Sequence, residues 1–199
     1  MVARVYALTG SIGMGKSAVV GMLRKLDVPV FDADAEVHRL QGPGGGAVTA
    51  IERHFPGTTG PNGVDRAKLG AVVLAHPHQR RVLESIIHPM VRAGREAFLR
   101  RFRSRPLVVL DIPLLFETHG QKGIDGVIVV SAPGWKQRAR VLARGNMTPA
   151  KFRAIRALQM PDAEKRRRAD YIIDTGTTFH RTQGQVRRLV ACLRRKAGG

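Results

Sequence analysis

The stretch Gly10-Ser-Ile-Gly13-Met-Gly15-Lys16-Ser17 satisfies G-x-x-x-x-G-K-[ST] at every fixed position, and no other segment limits the fold as tightly. Such a loop works only when a buried strand runs into it and a helix leaves it. Both are written beside it: residues 5–8 form a short apolar run, and Val19, Val20, Leu23 and Leu26 recur at helical spacing after Lys16. Glycines at 13 and 15 let the backbone curl so that several N–H groups point inward, and the helix dipole favours an anion at the same place. Ser11, Ile12, Gly13, Met14, Gly15, Lys16, Ser17 and Ala18 are therefore predicted to cradle a triphosphate. Lys16 is predicted to reach the β and γ oxygens, and Ser17 to offer its hydroxyl to Mg²⁺. The plain alternative is a glycine turn with an incidental Lys-Ser pair.

The order of elements extends this start into an α/β chain. A second strand over residues 28–31 ends in Asp32-Ala-Asp34, which closes a βαβ unit and enforces a parallel pairing. Glycine-rich loops at 42–46 and 57–63, with candidate helices at 47–54, 66–75 and 79–104, read as an insertion. Strands follow at 107–111, 126–131 and 170–174, and helices at 134–145, 149–158 and 179–196. The expected fold is the three-layer P-loop NTPase type, a five-stranded parallel sheet with helices on both faces. One domain of 1–199 would carry a helical substrate-binding insertion over about 35–104. The basic stretch 136–168, with turn signals at Gly145-Asn146 and Met160-Pro161, reads as a helical hairpin able to act as a lid.

Composition narrows the setting. A length of 199 residues with 43% hydrophobic content supports one substantial core. Cys192 is the single cysteine, so no intramolecular disulfide forms, and no Cys/His spacing suggests zinc. The N-terminal residues lack the pattern of a signal peptide, and the apolar run 107–116 is too short and too interrupted by Asp111 and Pro113 to span a bilayer. A cytoplasmic monomer with no membrane partner is expected. The net charge of +19 sits in three segments: six arginines against Glu96 in 92–105, eleven basic residues against two acids in 136–168, and six against none in 181–196. Charge placed this way serves a solvated face, a phosphate-rich ligand or a nucleic acid. With aromatics at 5% and Trp135 the single tryptophan, a stacking platform for single strands is thin, and no specific nucleic-acid partner is expected.

Acids at strand ends hold a privileged place, because ligands of open α/β sheets bind beyond the carboxyl ends of the strands. Asp34, just past the second strand, can accept the proton of an attacking hydroxyl. Asp111, ending the third strand, resembles a Walker B acid that holds the metal through water. Structural alternatives stand beside these readings: Asp32 can be the N-cap of a helix starting near Ala35, and Asp111 a hydrogen-bonded loop anchor before Pro113. His88-Pro89 interrupts a helical pattern that resumes with Arg92 and Arg95. A packing or capping role is equally open to His88.

Together these residues resemble one family. The motif Leu8-Thr-Gly-Ser-Ile-Gly-Met-Gly-Lys-Ser17, the triplet Asp32-Ala-Asp34, Asp65-Arg66, Ile87-His88-Pro89 with Arg92, Asp111-Ile-Pro-Leu-Leu-Phe-Glu117, Gln137-Arg-Ala-Arg140, and Gln159 leading to Arg168-Ala-Asp-Tyr-Ile-Ile-Asp174 are similar to dephospho-coenzyme A kinases over nearly the whole chain. The resemblance implies phosphorylation by ATP of the ribose 3′-hydroxyl of dephospho-CoA, the last step of coenzyme A synthesis. It implies Asp34 as general base, with Thr9, His88, Arg92 and Asp111 on the substrate side, and Arg140 as a lid arginine reaching the transferring group. It keeps the fold already read: five parallel strands, an inserted helical domain and a lid. Two departures stand out. Ser11 replaces a usual glycine and Ala18 a common threonine, while Asp174-Thr-Gly stands where Asp-Asn is frequent and puts an adenine contact there in question. The rivals are a P-loop kinase for another metabolite or nucleotide, and a nucleic-acid-binding NTPase suggested by the charge.

Overall fold

The structure is a computed structural model that describes residues 2–145 and 147–198, so Asn146 of the expected 145–146 turn lies outside the described residues. The chain divides into two compact units, one built from 1–31 and 102–199 and the other from 32–101.

The first unit is an α/β layer structure. Its strands are β1 (Arg4–Thr9), β2 (Val30–Asp32), β5 (Leu107–Asp111), β6 (Gly126–Ser131) and β7 (Tyr171–Asp174), in the order β2-β5-β1-β6-β7. The pairings of β1 with β5 and β6, and of β6 with β7, are parallel. Period-two alternation then splits the core between the two faces. Tyr6, Leu8, Val109, Ile128 and Val130 look one way, onto Val19, Val20 and Leu23 of α1 (Lys16–Lys25) and Val186, Leu189, Val190 and Leu193 of α9 (Phe179–Gly198). Ala7, Val127 and Val129 look the other way, onto Leu115 and Phe116. Both faces of β5 and β6 are buried at every residue, which is why these strands read as unbroken apolar runs.

Between β6 and β7 lie α6 (Gly134–Leu142), α7 (Pro149–Ala157) and α8 (Asp162–Arg167). Thr148 caps α7 by accepting from the Lys151 N–H, with Pro149 pre-set for the first turn. The third helix was not read from the sequence, where Met160-Pro161 marked only a turn; α7 ends at Ala157, and Pro161 is the N-cap of α8.

The second unit holds α2 (Ala33–Gln41), α3 (Val48–His54), the two-residue strands β3 (Thr59–Gly60) and β4 (Gly63–Val64), α4 (Arg66–Ala75) and α5 (Pro77–Arg101). Its core gathers Leu40, Ala47, Ile51, Phe55, Leu69 and Ile87. Asp32 caps α2 by accepting from the Ala35 N–H at 2.9 Å, the structural role weighed for it above. The helix expected over 79–104 is α5, which runs unbroken through the His88-Pro89 break in its pattern. A proline inside a helix forfeits the bond to the carbonyl four residues earlier, at a cost of about 3 kcal/mol. Here Val82, Leu83, Ile86, Ile87, Met90 and Val91 form a continuous apolar stripe on both sides of it, and packing of that stripe outweighs the lost bond.

Candidate active site at the phosphate loop

The carboxyl ends of the sheet converge on the loop after β1. Register sets Leu8 level with Asp111, Thr9 level with Val129, and Ser131 level with Asp174. Thr9 is fully buried, and its hydroxyl donates to the Pro113 carbonyl at 3.1 Å. That bond ties the turn after β5 to the foot of the loop.

The loop itself requires its glycines. Gly13 and Gly15 have φ of +76° and +86°, in the left-handed region where a side chain is strained. Space forbids one as well: a Cβ on Gly13 would strike Val141 and the Gln137 carbonyl of α6, and one on Gly15 would strike Thr175. Gly15 also begins α1, and no side chain caps that helix. The Ala18 N–H donates to the Gly15 carbonyl at 3.1 Å, so the N–H groups that the start of α1 offers to an anion are those ahead of it, of Lys16 and Ser17. Lys16 projects from this turn to Asp111, with Nζ 2.5 Å from Oδ1 and both side chains mostly buried. The strand-end acid and the loop lysine are therefore brought together, as the sequence spacing of 95 residues alone could not reveal.

Arg140 reaches the same loop from α6. Its guanidinium donates to Thr175 twice, to Oγ1 at 3.0 Å and to the carbonyl at 2.7 Å. Thr175 Oγ1 in turn donates to the Met14 carbonyl at 2.6 Å. The loop, α6 and the end of β7 are linked through one buried hydroxyl. Lys136 adds a further tie, donating to the Gly176 carbonyl at 2.6 Å.

Beside the loop lies a cavity of about 230 Å³, between Ser11 and Met14 on one side and Gln137, Arg156 and residues 159–162 on the other. Its far wall is held by a buried ion pair. Lys165, with no exposed surface, sits 2.8 Å from Glu117 Oε1, which also accepts the Met160 N–H. Burial works to raise the Glu117 carboxyl, but the bonds from Lys165 and Met160 outweigh it and hold the group below the ordinary carboxylate range.

The second unit carries the other predicted residues. Asp34 is exposed in the first turn of α2, and His88 and Arg92 are exposed one turn apart on α5. These two helices pack together within the unit, with Gly94 of α5 against Glu36 of α2. Among the described residues, no group of three or more His, Cys, Asp and Glu side chains is arranged to hold a metal. No helix among them is long and apolar enough to cross a membrane.

Residue reasoning left several members of this site without a role: Thr175, Gln137, Gln159, Glu117 and Lys165. Their partners are backbone groups or residues far along the chain, and no local pattern announces them: Gln137, between Lys136 and Arg138 at the fourth position of α6, is buried all the same.

Known proteins resemble this chain in sequence and in fold. The family model described as dephospho-CoA kinase matches residues 4–180. A dephospho-CoA kinase of Novosphingobium aromaticivorans is 60% identical over 192 residues, covering 96% of each chain. One of Zymomonas mobilis is 48% identical, covering 95% of this chain and 96% of its own. Among solved structures, TT1252 from Thermus thermophilus superposes with a TM-score of 0.85 at 32% identity, covering 96% of this chain and 98% of that one. The dephospho-CoA kinase from Campylobacter jejuni, at 21% identity and a TM-score of 0.68, shares the fold.

Proposed function

We propose, this chain being a member of the dephospho-CoA kinase family, that it transfers the γ-phosphoryl group of ATP to the ribose 3′-hydroxyl of dephospho-CoA. The observation that carries the reading is the uncapped N-terminus of α1 with Lys16 held at its mouth by Asp111. Converging N–H groups bind the β and γ phosphates, and phosphate oxygens compete with Asp111 for the Lys16 ammonium. The charge that gathers on the transferring group is met by Lys16 and by Arg140, which is anchored on Thr175 next to the loop. Preorganised charge of this kind supplies most of the acceleration in phosphoryl transfer.

The oxygen donors present fit a hard cation: the exposed Ser17 hydroxyl and the Asp111 carboxylate suit Mg²⁺, which takes few protein oxygens beside phosphates and water. When bound there it would neutralise charge across the β and γ phosphates. Asp34 is assigned to the acceptor, taking the proton of the 3′-hydroxyl as it attacks. His88 and Arg92 are assigned to the acceptor's phosphates, and Thr9, fully buried with its hydroxyl on the Pro113 carbonyl, serves the substrate side by holding the turn after β5. The unit 32–101 is read as the substrate-binding part, and the segment 136–168 as a lid that excludes water. The reading includes a monomer working in the cytoplasm, consistent with the free thiol of Cys192.

The test is direct. The protein is incubated with ATP, Mg²⁺ and a panel of acceptors, and the product is identified by mass and by sensitivity to a 3′-phosphatase. Coenzyme A as the favoured product supports the reading. Equal or faster transfer to another metabolite or nucleotide overturns it.

A further inference from the structure

The peptide groups of Ile12, inside the phosphate loop, are gripped from two sides by side chains of distant helices. The Ile12 N–H donates to Gln159 Oε1 at 3.0 Å, and the Ile12 carbonyl accepts from Gln137 Nε2 at 2.8 Å. A backbone N–H can only donate and a carbonyl can only accept, so both amide orientations are fixed by the partner. The loop enters its left-handed turn at Gly13, the very next residue. Fixing the peptides on either side of Ile12 therefore sets the direction in which the following N–H groups point.

Neither glutamine is loosely held. Gln137 is 4% exposed, and its own carbonyl lies against Gly13, where no Cβ fits. Gln159 stands where α7 gives way to α8, and its neighbourhood is pinned to the sheet. The Met160 N–H donates to Glu117, the Lys165 ammonium pairs with Glu117, and Ser131 donates to Asp162 at 2.7 Å. Gln137 lies near the start of the basic segment 136–168 and Gln159 near its end.

We propose that Gln137 and Gln159 are positioning residues that hold the phosphate loop in its phosphate-binding form and couple it to both ends of the 136–168 hairpin. This rests on the reading above that the loop binds ATP and the hairpin covers it. In that arrangement a displacement of the hairpin is felt at Ile12, and a loop shaped by phosphate favours one placement of the hairpin.

The two bonds run in opposite directions, and that makes the proposal testable at Gln159, the more exposed of the pair. Gln159→Leu deletes the acceptor for the Ile12 N–H. Gln159→Glu keeps an acceptor oxygen at the same atom while adding a negative charge near the phosphates. The readouts are kcat and KM for ATP with dephospho-CoA, calorimetric ADP affinity, and thermal unfolding of the full chain. For Gln159→Leu, kcat is expected to fall about tenfold or more and ADP affinity several-fold, roughly the loss of one well-placed hydrogen bond, with unfolding unchanged. For Gln159→Glu, kcat is expected to return to within a few-fold of wild type while KM for ATP stays raised. Gln137→Leu, which leaves the Ile12 carbonyl unpaired, is expected to lower ADP affinity in parallel.

Wild-type kinetics in Gln159→Leu would overturn the proposal, as would equal losses in the Leu and Glu variants accompanied by early unfolding, the mark of packing alone. If the wild-type protein does not phosphorylate dephospho-CoA, the proposed function fails on its own. The ADP affinities then still decide the matter, with unchanged affinity in both Leu variants overturning the positioning role.

Discussion

A lysine at the mouth of a loop of converging amides contributes charge rather than packing, so its removal separates binding from folding. Lys16→Ala is expected to abolish phosphoryl transfer and leave a folded protein, checked by product formation beside thermal unfolding; retained activity in a folded variant would remove the loop from the mechanism. Asp34→Asn tests the other end of the reaction. The amide keeps the shape but cannot take a proton, so kcat is expected to fall by roughly 10² to 10⁴, with ATP affinity measured by calorimetry hardly moved. Loss of affinity in step with activity would place Asp34 beside the nucleotide instead. At this scale the loop was legible because its chemistry demands particular residues in a row. Asp32 had two readings, and its bond to the Ala35 N–H realises the cap. Thr175 was not legible: it acts by joining the Met14 carbonyl to Arg140, and nothing local to positions 14, 140 and 175 announces that they meet.

Among the elements, α8 depends on a buried charge and should reveal it to acid. The Glu117 carboxyl titrates below its ordinary value when folded, so its pairing stabilises the native state above that ordinary value, near 4.5. The contribution is lost as pH falls from there through the lower folded value. The difference in unfolding temperature between wild type and Glu117→Gln is therefore expected to be steady at pH 6 to 7 and to shrink below about pH 4.5. A difference independent of pH would mean that the two hydrogen bonds, and not the charge, fix α8. Strands were legible as short apolar runs, because β5 and β6 are buried on both faces, and long helices because period 3.6 survives in the sequence. The hairpin of β3 and β4 was hidden in a glycine-rich loop, since two residues on each side give no period to detect. Continuity of α5 through Pro89 was expected from its helical spacing, but what holds it was hidden: the stripe needs Leu40, Ile51 and Leu69 as partners, and those come from three other helices.

For the whole molecule, the +19 charge asks for a test of its own. Much of it lies on exposed faces, including those of α9 with its basic last turn. Such charge raises the local concentration of polyanions by a long-range field that salt screens. KM for ATP is expected to rise with ionic strength, while added single-stranded or duplex nucleic acid leaves ATP turnover unstimulated. A nucleic-acid-stimulated ATPase would revive the NTPase alternative. Strand content was legible at this scale, but the order β2-β5-β1-β6-β7 was not, because it depends on which apolar runs meet after long intervening stretches.

That order also governs how the molecule comes into being on the ribosome. The β1 strand is made first, yet both of its neighbours, β5 and β6, begin at Leu107 and Gly126. At translation speeds of about 5–20 residues per second, a strand whose last four residues end up buried waits on the order of ten seconds for either partner. During that wait the stretch 32–101, with its own core, has been completed and has left the exit tunnel or is leaving it. The nascent chain is thus a finished helical body tethered to an unfinished sheet. A pause in translation shortly before residue 107 would prolong the exposure of β1 more than a pause made once β5 and β6 have both left the exit tunnel.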